Sequence, residues 1–244
     1  GDSSATVNVT DEGAIDTTTV TLDDVTVYED GTITYTASVD NAPQGAFSVT
    51  LNNGVVINFE SGSLTGSSEP QPAQGEDPYV DEDSFDVSIA STSGGNYEAL
   101  NTDSTATVTI NDTIDTTSVT VGVDAATVNE DEEGVTFSFQ LDNAPDEGYE
   151  ASVDYQIVDG DNNVVATGTV DVDANGYGEL SYPTADSDVW NDGQTYTASV
   201  TAINGGNFEA TDPGDSSATV NVTDEGAIDT TTVTLDDVTV YEDG

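Results

Sequence analysis

Apolar and polar residues alternate with period two along most of the chain, which is the pattern of half-buried β-strands. Residues 33–39 place Ile, Tyr, Ala and Val at every second position, and residues 85–89 and 135–141 show the same alternation. The abundance of Thr and Val suits a pleated surface. No stretch has apolar residues at the i, i+3, i+4, i+7 spacing of an amphipathic helix, so the pattern predicts essentially no helix.

The alternating runs predict seven strands in each half of the chain. In the first half they cover residues 18–28, 32–40, 46–52, 55–60, 62–68, 83–92 and 104–110, and in the second half 117–128, 135–142, 151–158, 163–173, 176–182, 195–203 and 216–222. Asn53-Gly54 and Asn175-Gly176 lie between such runs, and Asn-Gly is the strongest short signal for a β-hairpin.

The chain is internally repetitive at two levels. Residues 214–244 repeat residues 1–31 letter for letter, which indicates one period of about 213 residues from a tandem array and the start of the next period. Within the period, two diverged copies share landmarks in the same order: residues 5–22 match 106–121, VDNAP at 39–43 matches LDNAP at 141–145, and GGNYEA at 94–99 matches GGNFEA at 205–210.

These landmarks predict two complete domains, residues 14–112 and 113–225. Residues 1–13 are expected to be the last strand of a preceding repeat, and residues 226–244 the first strand of the next. Seven short antiparallel strands in about 100 residues favour an immunoglobulin-like sandwich. The predicted fold class is therefore all-β, with tandem immunoglobulin-like antiparallel β-sandwiches joined end to end by short acidic linkers. Trp190, which aligns with Tyr79, is expected to be a core aromatic or to cap a pole of the domain.

The charge of the chain is extreme and changes the functional picture. It has 49 Asp and Glu residues and no Lys, Arg or His, for a net charge of −49. Two carboxylates about 4 Å apart repel by roughly 4 kcal/mol at an effective dielectric near 20, against a typical domain stability of about 5–15 kcal/mol. Cations from solution are therefore needed to hold such groups together.

The same composition excludes several functions. Phosphate recognition depends on Lys and Arg, so nucleic acids and anionic membranes are not expected partners. The sequence has no apolar run long enough to span a bilayer and no signal-peptide pattern, so any export signal is expected outside this stretch. The chain has no cysteine, and a zinc site without His or Cys is improbable.

The strand order gathers the acidic residues at the ends of each domain. In a seven-strand sandwich, the loops after strands one, three and five share the C-terminal pole with the outgoing linker, and the other loops share the N-terminal pole. For the first domain, the C-terminal pole collects Glu29, Asp30, Asp77, Asp81, Asp83 and linker residues 111–115. The N-terminal pole of the second domain collects Asp142, Asn143, Asn207 and Glu209.

Calcium suits such clusters, because it takes six to eight oxygen ligands in flexible geometry, whereas magnesium demands stricter octahedra. Several Ca²⁺ ions are therefore expected at the linkers and poles. The predicted ligands are Asp11, Glu12, Asp16, Glu29, Asp30, Asp81, Asp83, Asn96, Glu98, Asp103, Asn111, Asp112, Asp115, Glu130, Asp131, Asp188, Asp192, Asn207, Glu209, Asp224, Glu225 and Asp229. The alternative is that these acids serve solubility or cap turns.

Two further segments look like the opening of a calcium loop, Asp171-x-Asp173-x-Asn175-Gly176 and Asp159-x-Asp161-x-Asn163. The first has Tyr182 where the loop would end in a bidentate Glu. Since a turn explains its Asn-Gly, we expect a turn there rather than a metal site, and the second segment has the same weakness.

The DNAP loops, the GGNxEA loops and the acidic linkers followed by DTT resemble the extender repeats of giant RTX-type bacterial surface adhesins. The resemblance covers the whole chain and implies immunoglobulin-like sandwiches, stiffened by calcium at the linkers, that project a distal adhesive domain from the cell in biofilm formation. It implies Asp112, Asp115, Asp224, Asp229, Glu29, Asp30, Asn207 and Glu209 as ligands. The glycine-rich nonapeptides, ligand-binding domains and secretion signal of that family do not occur in this sequence.

The resulting hypothesis is an extracellular, cell-surface, calcium-rigidified extender of an adhesin fibre. Its expected partners are neighbouring repeats, end to end, with no nucleic acid, membrane insertion or small-molecule substrate. One alternative is a carbohydrate- or surface-binding module that uses Tyr97, Tyr149 and Tyr177, and another is a subunit of a self-assembling extracellular filament. An enzyme is not expected: paired carboxylates can hydrolyse glycosides, but every cluster lies at a pole without an aromatic cleft.

Overall fold

The computed structural model describes residues 3–8, 13–185, 193–224 and 232–242. The chain divides into two compact units, Gly1–Thr113 and Ile114–Gly244. All regular secondary structure in the described part is β-strand, which confirms the all-β prediction. Within those ranges, no helix is long and apolar enough to cross a membrane.

The first unit contains eleven strands, several of them short. They are β1 (Thr17–Leu22), β2 (Val25–Tyr28), β3 (Thr32–Ile33), β4 (Thr36–Val39), β5 (Phe47–Leu51), β6 (Val56–Phe59), β7 (Thr65–Ser67), β8 (Gln71–Pro72), β9 (Asp83–Gly94), β10 (Ala99–Asn101) and β11 (Thr105–Asn111).

These strands form the two layers of an immunoglobulin-like sandwich. One layer has the order β10-β1-β4-β7 and the other β6-β5-β9-β11-β2, with a single pair, Asn58 and Ser67, connecting the layers at one edge. Most neighbours are antiparallel, as predicted. The exceptions involve the first and last strands of the unit: β1 runs parallel to β10, and β2 runs parallel to β11.

The second unit repeats this order with nine strands in its described part. They are β12 (Thr116–Val123), β13 (Thr127–Asn129), β14 (Val135–Leu141), β15 (Ala151–Asp159), β16 (Val164–Val172), β17 (Tyr177–Tyr182), β18 (Gln194–Gly205), β19 (Ala210–Asp212) and β20 (Ser217–Thr223). Its layers are β17-β14-β12-β19 and β13-β20-β18-β15-β16. The parallel pairs recur as β12 with β19 and β13 with β20.

The alternating apolar residues form the core between the layers. In the first unit, Val20, Val49, Ile57 and Val108 are fully buried, and the predicted inward set Ile33, Tyr35, Ala37 and Val39 is buried as well. In the second unit the fully buried residues include Phe137, Phe139, Val153, Ile157 and Val220. Burying each such side chain contributes about 1.5–3 kcal/mol, so the period-two pattern accounts for the main stabilising contacts.

The structure corrects some strand predictions. The expected first strands 18–28 and 117–128 are each broken in two, because the chain passes from one layer to the other at Asp23-Asp24 and at residues 124–126. Asn53-Gly54 forms the predicted hairpin between β5 and β6. Asn175-Gly176 forms a tight turn, with Gly176 N donating to Asp173 O at 2.9 Å, but β16 and β17 then separate into different layers. The hairpin pairing predicted there is wrong.

Two flanking segments lie outside the sandwiches. In the described residues 3–8 and 232–242 no strand forms, and Val7, Leu235 and Val240 are more than 80% exposed. That these segments are strands of neighbouring repeats stays a prediction, because their partner strands would belong to those repeats. Trp190, expected in the core or as a cap on a pole, lies outside the described residues.

Candidate metal centre

The C-terminal pole of the first unit is organised around Glu29, the residue that follows β2. Its backbone N–H donates to the carbonyl of Asn111 at 3.0 Å, which extends the parallel β2–β11 ladder by one bond. Its side chain is only 1% exposed, and Oε1 accepts a hydrogen bond from the backbone N–H of Thr113 at 2.8 Å. Glu29 therefore fixes the last residues of the first unit with both its backbone and its carboxylate.

Two aspartates from the loop between β8 and β9 complete a group of three carboxylates. One oxygen from each of Glu29, Asp77 and Asp81 lies within 4.8 Å of the others. Asp77 Oδ1 accepts the N–H of Tyr79 at 2.9 Å, and Asp81 Oδ2 accepts a bond from Gln74 Nε2 at 3.0 Å. These local bonds hold the loop so that its acids converge on Glu29.

The electrostatics of this group call for a positive charge. Burial, followed by the negative charges of Asp77, Glu29 and Asp112, raises the pKa of Asp81 above its usual 3.8. Oδ1 of Asp81 and Oδ1 of Asp112 are buried and accept no hydrogen bond from the described residues. A buried carboxylate oxygen without a donor is costly, and a cation between these oxygens would remove that cost.

The donor set suits calcium. In the group around Glu29 the side-chain ligands are carboxylates, and Ca²⁺ binds such oxygens at about 2.3–2.6 Å with variable coordination. A zinc site would need nitrogen or sulfur ligands, and the sequence has neither His nor Cys. Glu29, Asp77, Asp81 and Asp112 are thus the residues of the first unit that could hold such an ion.

At the N-terminal poles, one carboxylate oxygen of each GGNxE glutamate accepts a backbone hydrogen bond. In the first unit Glu98 Oε2 accepts the N–H of Asp16 at 2.9 Å. In the second unit Glu209 Oε2 accepts the N–H of Asp115 at 2.6 Å. The same arrangement in both units shows that this glutamate anchors the residue just before the first strand, a role that its acidity alone did not reveal.

The DNAP loops also bind the first strand. Asp40 Oδ1 accepts the N–H of Thr19 at 3.0 Å, and Asp142 accepts bonds from both the N–H and the hydroxyl of Ser118. The Nδ2 of Asn143 donates to the hydroxyl of Thr117 at 3.0 Å. Because hydrogen bonds within the unit satisfy these groups, the structure explains the DNAP motif without a metal ion.

The C-terminal pole of the second unit begins as the first one does. Glu130 is 8% exposed, and its N–H donates to the carbonyl of Thr223 at 3.0 Å, as Glu29 does to Asn111. Six of the predicted ligands lie outside the described residues: Asp11, Glu12, Asp188, Asp192, Glu225 and Asp229. Metal binding at this pole stays a prediction.

The remaining predicted ligands are dispersed. Asp30, Asp103 and Asp131 are exposed, and Asp83 Oδ1 accepts the N–H of the next residue, Ser84, at 2.8 Å. Asn111 ends β11, and Asp224 follows β20, both half-buried. Asn96 donates to Gln44 at 3.2 Å, and Asn207 donates to Asp146 at 3.0 Å.

Sequence reasoning missed one member of the group, Asp77, and one residue that positions the group, Gln74. Asp77 was placed at this pole but left out of the predicted ligand set, because nothing in its spacing separates it from the neighbouring acids. Gln74, which donates from Nε2 to both the carbonyl and the carboxylate of Asp81, carries no charge and gave no signal.

The two segments that resemble the opening of a calcium loop form hydrogen-bonded turns. Asp159 Oδ1 accepts the N–H groups of Asp161 and Asn163 at 2.9 and 2.8 Å. Asp173 Oδ1 accepts those of Asn175 and Tyr177 at 2.8 and 3.0 Å. Bonds from Asn163 lower the pKa of Asp159, and bonds from Tyr177 and Asn175 lower the pKa of Asp173.

The tyrosines of the carbohydrate-binding alternative serve different purposes. Tyr97 packs edge-on against Phe47, with ring centroids 5.2 Å apart, and donates from its hydroxyl to the carbonyl of Asn41 at 2.8 Å. Tyr177 donates to Glu179 at 2.5 Å, and Tyr149 is 55% exposed. Since Tyr97 belongs to a packed corner, a shared aromatic platform has no support in these contacts.

Comparison with known proteins gives one family. The model of the LapA domain, a bacterial adhesin family, matches residues 16–113 and again residues 115–225. No curated protein sequence matches the chain.

Solved structures give weak similarities. CBD12 of CALX1.2 is 9% identical, with 85% of this chain and 100% of that chain covered and a TM-score of 0.33. The calcium-binding domain CBD12 of CALX1.1 is 12% identical, with 84% and 99% covered and a TM-score of 0.32. Murine CEACAM1b is 14% identical, with 83% and 99% covered and a TM-score of 0.29. Values this low do not indicate a shared function.

Proposed function

Because the chain belongs to the LapA domain family of bacterial adhesins, we propose that it is a calcium-binding extender segment of a cell-surface adhesin. Its two sandwich repeats would contribute length between the cell and a distal binding domain, and the protein would be extracellular. Successive family matches at residues 16–113 and 115–225 support a tandem spacer. A non-enzymatic role agrees with this family.

The observation that carries the calcium part is the carboxylate group at the C-terminal pole of the first repeat. Glu29, Asp77 and Asp81 bring oxygens within 4.8 Å of one another, and the chain has no basic side chain to neutralise them. The Oδ1 atoms of Asp81 and Asp112 are buried and lack donors within the described structure. A divalent cation is the simplest partner for all four residues.

The proposed consequence is that calcium stabilises the repeat and stiffens the fibre. An ion present at about 100 times its Kd would add about 2.7 kcal/mol of stability. Without calcium the acids at the ends of the repeats repel, and we expect a more flexible chain. We also propose Asp115, Asp224 and Asp229 of the linkers as calcium ligands, although they are not members of the carboxylate group around Glu29.

Calorimetry with a matched pair of variants tests the calcium site. We expect calcium to raise the unfolding temperature of the wild-type chain relative to EDTA, and Asp81→Asn to abolish the part of this gain that belongs to the first repeat. Asp86→Asn is the control, because Asp86 is exposed on β9 and bonds to Thr107 instead. An unfolding temperature that is the same in calcium and EDTA would refute calcium binding, and an unchanged gain in Asp81→Asn would refute this site.

Small-angle scattering tests the stiffening separately. The expected result is a larger radius of gyration in calcium than in EDTA, with no change in molecular mass. Suppose that the scattering profiles are equal in the two buffers while calcium still raises the unfolding temperature. The metal site would then be supported, and the proposal that calcium stiffens the fibre would be refuted.

A further inference from the structure

The sequence contains three Asn-Gly pairs, at residues 53–54, 175–176 and 204–205. An asparagine before a glycine can lose its side-chain amide without an enzyme, because no Cβ shields the glycine nitrogen. That nitrogen attacks Cγ of the asparagine, an N–C bond closes a five-membered succinimide, and the C–NH₂ bond breaks. Ammonia leaves with the proton of the attacking nitrogen. Water then opens the ring to aspartate, or to isoaspartate with one more methylene group in the main chain.

Asn53 and Asn175 occupy the same position in the same kind of turn. Each following glycine donates its N–H to the carbonyl three residues earlier, at 2.9 Å. The φ values are 87° for Gly54 and 74° for Gly176, and both asparagines are exposed. The two pairs therefore start from similar local geometry, so their surroundings decide which of them reacts first.

The glycine of the first pair is freer to move. Gly176 is buried, and its carbonyl accepts the N–H of Leu141 at 2.9 Å. The carbonyl of Asn175 accepts a bond from Gln140 Nε2, also at 2.9 Å. Gly54 is exposed, and nothing lies within 4 Å of a Cβ built on it. Because ring closure moves the glycine towards the asparagine side chain, it is obstructed in the second pair and open in the first.

The charge near the two pairs also differs. The attacking nitrogen must lose its proton, and nearby negative charges oppose such an ionisation. Asn175 lies two residues after Asp173, whose carboxylate accepts bonds from the N–H and the Nδ2 of Asn175. By contrast, residues 41–59 contain no acid. From outside this stretch, Glu69 lines the same surface groove as Asn53.

The third pair is fixed in a strand. Asn204 and Gly205 end β18, where they pair with Ser152 and Ala151 of β15. The side chain of Asn204 also bonds to the carboxylate of Asp154. Ring closure at this pair would break the end of the β15–β18 ladder, so we expect it to be slow.

At Asn53 the restraint is in the side chain. Its Nδ2 donates to the hydroxyl of the buried Tyr35 at 3.0 Å, and its Oδ1 accepts the N–H of Val55 at 3.1 Å. Exposed side chains change rotamer within picoseconds to nanoseconds, faster than loops rearrange. These two bonds therefore delay the attack less than a fixed backbone does.

We propose that Asn53 is a site of spontaneous deamidation, that it is the first of the three pairs to react, and that the hydroxyl of Tyr35 slows it. The aspartate product adds a negative charge to the β5–β6 turn, and the Tyr35 hydroxyl is able to donate to it, since a phenol both donates and accepts. The isoaspartate product lengthens the main chain of this turn. The reaction needs neither calcium nor a partner, so its failure would leave the extender function untouched.

Peptide mapping of the intact chain after incubation at neutral pH tests the order. The chain has no Lys or Arg for trypsin, but cleavage after glutamate separates the three pairs into the peptides 30–60, 151–179 and 180–209. Deamidation should rise first at Asn53, and incubation in heavy-oxygen water should label this residue as the ring opens. Faster deamidation at Asn175 or Asn204 would overturn the proposal. So would an unreacted Asn53 in the folded chain while the same residue reacts in urea.

Tyr35→Phe tests the restraint, with Asn175 as an internal control. The substitution removes the hydroxyl and keeps the ring in the core. Deamidation at Asn53 should become about two- to tenfold faster, the equivalent of one net hydrogen bond, with no change at Asn175. Amide hydrogen exchange in β5 should stay as slow as in the wild type. An unchanged rate at Asn53, or a faster rate together with faster exchange throughout β5, would contradict the restraining role of Tyr35.

Discussion

At the scale of single residues, Glu29 has two separable roles. Its Oε1 accepts the N–H of Thr113 at 2.8 Å, and its charge contributes to the carboxylate group with Asp77 and Asp81. An amide at the same position keeps an acceptor for Thr113 and removes the charge. A methyl group removes both.

Substitutions at Glu29 should therefore behave differently with and without calcium. In EDTA, Glu29→Gln should be at least as stable as the wild type, because repulsion is relieved, while Glu29→Ala should lose about 1–3 kcal/mol with the buried bond. Both variants should lose the increase in stability that calcium gives to the first repeat. Urea unfolding in the two buffers measures this, and a full calcium gain in Glu29→Gln would speak against its role as a ligand.

The turn aspartates make a pH prediction. Hydrogen bonds hold the pKa of Asp159 and Asp173 below the usual 3.8, so each stabilises the folded second repeat when ionised. That contribution is fully present above the unfolded pKa and disappears as the pH falls through the lower folded pKa. Carbon-detected NMR titration should give midpoints below 3.8 for both carboxyls, and midpoints at or above that value would contradict the turn geometry.

At this scale the sequence predicted which acidic residues lie at the same pole, but not which donors each carboxylate accepts. It placed Glu29, Asp77 and Asp81 at one pole because the loops after the first, third and fifth strands meet there. It did not separate these acids from Asp142, which accepts the N–H of Ser118 in β12, or from Glu209, which accepts the N–H of Asp115 just before β12. Alternation fixes the face of a residue in a strand, but it contains nothing about which donor a loop carboxylate reaches.

At the scale of elements, the GGN turns require unusual backbone. Gly94, Gly95 and Asn96 have φ values of 82°, 80° and 59°, and Gly205, Gly206 and Asn207 have values of 73°, 76° and 59°. A Cβ on Gly205 would lie 2.2 Å from the carbonyl oxygen of Glu150. These turns bring Glu98 and Glu209 to the residues before the first strands, so the glycines position the glutamates.

Replacing Gly205 by Ala should lower the stability by more than the cost of placing a side chain on a left-handed backbone, because the added Cβ would also clash with Glu150. Gly54→Ala is the control, because Gly54 also has a positive φ, 87°, but nothing lies within 4 Å of its added Cβ. We expect a loss of about 1–2 kcal/mol for Gly54→Ala and a clearly larger loss for Gly205→Ala, as chemical unfolding of each variant would measure. Equal losses would mean that the backbone relaxes away from Glu150.

The strands themselves were largely predictable, because each long strand alternates a buried and an exposed face. Runs such as 46–52 and 163–173 match β5 and β16 within one residue at each end. The short strands β8, β10 and β19 were missed, since two or three residues are too few for a period to show. The crossing at Asp23-Asp24 was missed because alternation continues on both sides of it.

At the scale of the whole molecule, the charge of −49 sets the dependence on salt. The Debye length falls from about 30 Å at 0.01 M to about 3 Å at 1 M ionic strength. Added NaCl should therefore raise the stability of the metal-free chain, and calcium should reduce the size of this effect by neutralising the carboxylates of Glu29, Asp77 and Asp81. Thermal unfolding in EDTA and in calcium across this range checks both statements, and a salt-independent stability in EDTA would contradict them.

The most direct measurement is the anomalous diffraction of crystals grown in calcium. A peak should lie between Glu29, Asp77 and Asp81, with their oxygens about 2.3–2.6 Å away and with Asp112 turned towards it. Crystals that contain millimolar calcium but show only water among these carboxylates would contradict the proposed metal centre and the calcium-dependent extender with it.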